Sequence, residues 1–258
     1  MKFHQQAGRV YRFGGSGPDQ WLDDLVDYAA HFDPDLPGKL EGATPEQLAR
    51  LEELAGQPLP PTYRAWLERM GKRDGGLLYE LKADLDVGEV LELYEDTDEG
   101  ERPAGCLMIG TGQLGTFAEL SLKPMPSGEP QLIHTDGSWI GKPIAQSLPR
   151  FLLQQAFLRF ELGSYPVRHY YGLVQKLHTL ERVKRAATAA KVTPYWFSDA
   201  WNLCGWAEGA ALAAHQDHQG AGWLTVGGVD AAHAAQLGDA LDHALGLRFQ
   251  RKLVDVPD

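Results

Sequence analysis

The run "HQDH" puts His215, Asp217 and His218 within four residues, and each can offer a lone pair to a transition metal. A zinc site there would need a further donor at about 2 Å, with His233 and His243 as the candidates. No H-E-x-x-H or C-x-x-C scaffold accompanies the run. His233 and His243 fall ten apart on one expected helix, so they do not share a face closely. A polar surface loop explains the run with fewer assumptions, and no metal ligands are assigned.

Other possible chemistry fails on spacing. Asp96, Asp98 and Gly100 in "EDTDEGE" have calcium-loop character, but the glycine at the sixth place and glutamate at the twelfth are absent. "GGSGPD" has no Lys-Ser or Lys-Thr after it and cannot be a P-loop. Cys106 precedes an apolar run and reads as buried rather than nucleophilic. No G-x-S-x-G elbow presents a serine. The expectation is a protein with no catalytic residues and no cofactor, not an enzyme.

Charge is the stronger signal. The formal net charge is −11, and residues 1–164 hold 26 acidic and 15 basic side chains while residues 165–258 hold nine of each. An acidic surface argues against direct nucleic-acid binding, which needs clustered Lys and Arg. It suits a basic protein partner. The densest acidic segment contains Glu92, Glu95, Asp96, Asp98, Glu99 and Glu101, with Asp84 and Asp86 just before it. These six are the candidate partner-binding residues. The hydrophobic fraction of 43% is ordinary for a globular chain. No apolar run approaches the roughly 20 residues of a membrane span, and "MKFHQQAGRVYRFGG" lacks a secretory apolar core. Two distant cysteines form no disulfide framework, so the expected compartment is the cytoplasm.

The elements that would carry these groups follow from periodicity. Trp21, Leu22, Leu25, Val26 and Tyr28 predict a first helix. Thr44 before Pro45, with Gln47 three residues on, is a capping-box pattern, and Gly56 can end the helix it opens. In "GQPLPPTYRAWLERMG", Tyr63, Trp66, Leu67 and Met70 fall at i, i+3, i+4 and i+7 after Pro61, and Gly71 can end this helix in a left-handed conformation. "GGLLYEL" (75–81) is compatible with a strand. Val87, Val90, Leu91 and Tyr94 predict another helix capped by Asp86. "CLMIG", "TFAELSL" and "PQLIHT" predict three meandering strands, with "DGSWIG" as the turn that follows. Residues 145–162 predict a helix with Ser147 as its cap and Pro149 in its first turn.

The order of these elements resembles the SUKH superfamily, named after a yeast cell-wall-synthesis regulator and abundant as bacterial immunity proteins. "TPEQLARLEELAGQPLPPTYRAWLERMG" resembles its first signature, a helix, a Gly, a Leu-Pro turn and an aromatic helix. "PAGCLMIGTGQLGTFAELSL" is similar to its strand, Gly-rich turn and strand, and "IAQSLPRFLLQQ" to its closing helix. The likeness covers about residues 40–160. It implies an α+β fold, an antiparallel sheet with packed helices, with Leu48, Leu51, Tyr63, Trp66, Leu67, Met108, Ile109, Phe151 and Leu152 in the core.

Beyond residue 164 the likeness ends. "SYPVRHYYGLVQKLHTLERVKRAATAAKV" reads as a long helix started by Pro166, followed by aromatic-rich "TPYWFSDAWNLCGW". "GWLTVGG", "DAAHAAQLGDALDHALG" and "LRFQRKLVDV" then predict a small β-α-β unit. The expected organisation is a SUKH-like domain over 1–163 and a smaller C-terminal α+β region over 164–258. The resemblance implies an immunity protein whose partner is a cognate basic toxin, such as a nuclease. An intracellular scaffold of the same superfamily and a metal-dependent enzyme in the C-terminal half are the other readings.

Overall fold

The computed structural model describes residues 11, 20–78, 83–112, 119–136, 138–173, 180–216 and 221–254. Among these residues the strand pairs are antiparallel and helices pack on the sheets, which is the expected α+β class. The chain divides into two compact units, one built from Gly15–Ala30 and Pro34–Gln155, the other principally from Ala156–Asp258.

The first unit opens with helix α1 (Trp21–Phe32), of which Trp21, Leu25, Val26, Tyr28 and Ala29 are buried. Strand β1 (Leu40–Glu41) precedes helix α2 (Pro45–Ala55). Thr44 Oγ1 accepts from Gln47 N at 3.3 Å and Gln47 Oε1 accepts from Thr44 N at 2.9 Å, so the predicted capping box forms. Gly56 ends α2 in the left-handed region, φ +64°. Helix α3 (Pro61–Met70) then buries Tyr63, Trp66, Leu67 and Met70 along one stripe. Gly71 departs from expectation, because its φ is −69° and right-handed. It is needed for space instead: a Cβ there would sit 2.7 Å from the Leu67 backbone.

Strand β2 (Arg73–Asp74) pairs with β1. The expected strand at 75–81 is not one over its described part. Asp74 accepts from Gly76 N at 2.8 Å and Leu78 N at 3.0 Å, folding residues 75–78 into a turn that buries Leu77 and Leu78. Tyr79–Leu81 lie outside the described residues.

After β3 (Ala83–Asp84), helix α4 (Val87–Asp96) starts where Asp86 accepts from Gly88 N at 2.7 Å, as predicted. Strands β4 (Leu107–Gly112), β5 (Glu119–Lys123), β6 (Gln131–Asp136) and β7 (Trp139–Ala145) complete a five-stranded sheet in the order β3-β4-β5-β6-β7. The meander is the expected one with a fourth strand added, since "SWIG" lies within or beside β7 instead of in a turn. The strand itself begins at Trp139, and Gly137 lies outside the described residues. Helix α4 packs on α2 and β4. Helix α5 (Leu148–Ala156) follows, with Ser147 Oγ accepting from Arg150 N at 3.4 Å, and continues as a π-helical segment Phe157–Leu162. All nine predicted core residues are buried.

The second unit is a six-stranded sheet in the order β13-β8-β12-β11-β10-β9. Its strands are β8 (Val167–Leu173), β9 (Thr193–Pro194), β10 (Asn202–Ala207), β11 (Ala210–Gln216), β12 (Gly222–Gly228) and β13 (Arg248–Val254). Helices α6 (Leu180–Ala189) and α7 (Ala231–Leu245) share one apolar cluster with it, including Tyr171, Val183, Leu212, Val226 and Leu241. Two expectations are corrected. The long helix from Pro166 is a strand over 167–173; residues 174–179 lie outside the described residues, and helix is found over Leu180–Ala189. The β-α-β unit is part of this larger antiparallel sheet, with β8 lying between β12 and β13. Val167, Tyr170 and Tyr171 mimic helical spacing, but β-branched and aromatic side chains fit a paired strand when neighbours lie on both sides. Asp230 caps α7 by accepting from His233 N at 2.9 Å. Among the described residues no helix is long and apolar enough to cross a membrane.

Candidate functional site

Helix α4 turns Val87, Val90 and Tyr94 inward, and this fixes what it shows to solvent. Glu89, Glu92, Glu95 and Asp96 are all exposed on its outer side. Asp98 precedes a short 3-10 turn, Glu99–Glu101, in which both glutamates are exposed. The six predicted residues therefore all lie on the surface of the first unit, on one helix and the turn after it.

Their electrostatic settings differ. Glu95 is partly neutralised, since Arg50 Nη2 lies 3.2 Å from its Oε1 while Nη1 holds Glu53 at 2.9 Å. Glu92 belongs to another group, centred on Glu89. The charge of Asp84, then desolvation, then Glu92 and Asp86 raise the Glu89 carboxyl above the ordinary range. Four carboxylates thus share the field at the N-terminal end of α4. Asp84 and Asp86 are fixed there, because Asp84 Oδ1 accepts from Asp86 N at 2.9 Å and Asp86 caps the helix. Glu89 was missed by sequence reasoning, although its position three residues before Glu92 puts both on one helical face.

The platform beneath is rigid. Arg102 donates from Nη1 to the Leu54 carbonyl at 2.8 Å, from Nη2 to the Tyr94 carbonyl at 2.6 Å and from Nε to Thr97 O at 3.1 Å. It thereby satisfies terminal carbonyls of both α2 and α4. Tyr94 Oη accepts from Met108 N at 2.9 Å, linking α4 to β4. Such a surface can attract a cationic partner.

The thiols and histidines occupy structural settings. Burial pushes both Cys106 and Cys204 up, so neither is a ready thiolate. His215 Nδ1 lies 2.9 Å from Asn202 Oδ1, whose amide nitrogen donates to Asp199 at 3.1 Å. Asp217 and His218 lie outside the described residues. His233 is engaged with Asp230 at the start of α7, with Nδ1 2.9 Å from Oδ1. Among the described residues no group of three or more His, Cys, Asp or Glu is arranged to hold a metal. The second unit has a cleft of about 360 Å³ between α6, the β10–β11 hairpin and α7. Alanines floor it, and Lys191, Glu208 and His233 supply its ionisable groups.

Comparison with known proteins adds one finding. Residues 42–154 match the SMI1 / KNR4 family (SUKH-1), a segment that begins just before α2 and ends within α5. The matched stretch is a SUKH-superfamily domain and accounts for less than half of the chain. No curated protein and no solved structure matches.

Proposed function

From the SUKH-superfamily domain at residues 42–154, we propose that this protein is an immunity-type binding protein that neutralises a basic protein toxin by occupying its functional surface. The observation that carries the reading is the concentration of exposed like charge at α4, where Asp84, then desolvation, then Glu92 and Asp86 raise the Glu89 carboxyl above its ordinary value. Among the described residues no cation pairs with Asp84, Asp86, Glu89 or Glu92, so these carboxylates are poised to be neutralised by a partner. A toxin that acts on nucleic acid needs a cationic site for phosphate, and an acidic surface can steer towards that site and exclude the substrate. Glu92, Asp96, Asp98, Glu99 and Glu101 then form an exposed rim, and Glu95 contributes less because Arg50 already holds it. The protein acts by binding, in the cytoplasm, with no cofactor and without touching nucleic acid or membrane itself.

The test is association with a toxin encoded beside this gene, followed by stopped-flow at two salt concentrations. Exposed charges are screened beyond about 8 Å at physiological ionic strength, so the association rate falls as salt rises. Reversing Glu92, Asp96, Asp98 and Glu99 to Lys slows association at least tenfold and leaves thermal stability nearly unchanged. An unchanged rate removes this surface from the binding site. Failure to bind any neighbouring toxin transfers the assignment to a scaffold or regulatory module.

A further inference from the structure

Among the described residues strand β7 pairs only with β6 and forms one edge of the five-stranded sheet, and its two ends are built differently. The C-terminal half is closed to further pairing. Pro143 lies opposite Ile133 of β6, and a proline in a strand paired on one side has no N–H to offer the other. Lys142 precedes it and Ala145 is buried, so this half carries the features by which edges resist unwanted strands. The N-terminal half lacks them. Trp139 is 56% exposed and Ile140 38%, although adjacent strand residues point to opposite faces. Both faces of the strand end are therefore apolar and solvated.

Trp139 also has a defined neighbour on its own strand. A Cβ on Gly141 would lie 2.6 Å from Trp139 Cζ3 and would meet the His134 carbonyl oxygen. The indole thus lies along its own strand over Gly141, in the space that a side chain would fill. An exposed tryptophan is the side-chain type most often found as an interface anchor.

Charge decides the occupant. Gly15–Ala30 and Pro34–Gln155 hold 24 acidic and 11 basic side chains, a net charge of −13. Asp136 stands directly opposite Trp139 in the β6–β7 pair and is exposed. A second copy would bring another −13 and another Asp136 to this edge, whereas a cationic chain is attracted to it. We propose that the Trp139–Gly141 edge of β7 is a docking site for an extended, cationic segment of a partner protein, which adds as a strand with its apolar side chains on Trp139 and Ile140. The inference rests on the reading that the first unit binds a basic protein, but it names a different surface and recognition through the backbone.

The probe is an end-blocked decapeptide of alternating lysine and valine, titrated into the full-length protein and followed by amide NMR shifts and hydrogen exchange. The expected result is saturable perturbation centred on Trp139–Gly141 and slowed exchange in that half of β7. The double variant W139S/I140T, whose fold is checked by its thermal melt, weakens binding at least tenfold. Alternating glutamate and valine, or a lysine–valine peptide N-methylated at every second residue, fails to bind. Shifts confined to α4 and the 99–101 turn overturn this inference while leaving the proposed function standing. Equal binding by the N-methylated peptide overturns the strand-addition mode. A dimer of the protein alone that W139S/I140T abolishes assigns the edge to a second copy and overturns the cationic occupant. Loss of toxin binding with β7 pairing intact counts against the proposed function instead.

Discussion

The Arg102 guanidinium lies over the Tyr94 ring, 5.1 Å from its centroid, while its Nη2 donates to the Tyr94 carbonyl at 2.6 Å. One side chain thus stacks on the ring and satisfies the backbone of the same residue, and it reaches the end of α2 as well. Arg102→Ala leaves the carbonyls of Leu54, Tyr94 and Thr97 without these donors. The expected loss is about 2–3 kcal/mol, given that bonds to charged groups are the stronger kind and Arg102 is only half-buried. Arg102→Lys does not restore it, since an ammonium cannot reproduce a planar fork. Urea unfolding of the variants checks both statements.

Tyr63 and Trp66 separate packing from hydrogen bonding. Their rings stack at 6.1 Å with 12° between planes, and both side chains are buried. Trp66→Ala removes a fully enclosed side chain and costs about 3–5 kcal/mol. Tyr63 Oη has no hydrogen-bond partner among the described residues, and burial raises its pKa well above the ordinary phenol value. Tyr63→Phe is therefore neutral or stabilising by up to about 1 kcal/mol. A clear destabilisation by Tyr63→Phe in calorimetry would show that the hydroxyl is bonded after all.

Glu89 gives a pH-dependent prediction with a definite sign. Its folded pKa is raised, so the native state binds protons more readily than the unfolded chain. The repulsion acts in full above the raised folded value and fades as pH falls towards the ordinary carboxylate value. Asp84 is the largest contributor, so Asp84→Asn lowers the Glu89 midpoint in a carboxyl NMR titration, and by more than Glu92→Gln does. The variant keeps an acceptor for Asp86 N, which leaves the turn intact. A larger shift from Glu92→Gln would contradict the order.

Where the chain can be cut is also testable. Sequence reasoning places a domain boundary at residue 163, whereas the two compact units divide between Gln155 and Ala156. Phe157, Phe160, Glu161 and Leu162 are buried, and Tyr195 Oη donates to Glu161 Oε2 at 2.8 Å. A C-terminal fragment starting at Ala156 keeps these groups, and one starting at Ser164 loses them. The longer fragment is expected to melt cooperatively and the shorter to be markedly less stable. Equal melting of the two would support the boundary at 163.

Much of the first unit was legible because its signals are local. A capping box needs only Thr44 and Gln47, and a stripe at i, i+3, i+4 and i+7 needs only one helix turn after another. Those patterns identified α2, α3 and α4, their buried faces and the matched family segment. The same locality made the exposed acidic residues readable, since an amphipathic helix leaves its charges outside.

Long-range pairing decided the rest. Strand β8 carries aromatic residues at a spacing that also suits a helix, and only the partners β12 and β13 make it a strand. The run "AALAAHQ" gave no alternation to read, because β11 sits inside the sheet with Ala210 to Ala214 buried in succession. Gly71 was read as a turn-maker, yet the approach of Leu67 is what requires a glycine. Glu89 became a site residue only when Asp84, from the segment before the helix, was brought near it. Composition and periodicity set which segments are apolar, charged or amphipathic, because these depend on neighbours along the chain. Which strand is an edge, which tryptophan stays in water and which carboxylates crowd one another depend on neighbours across space, and tertiary structure alone supplies those.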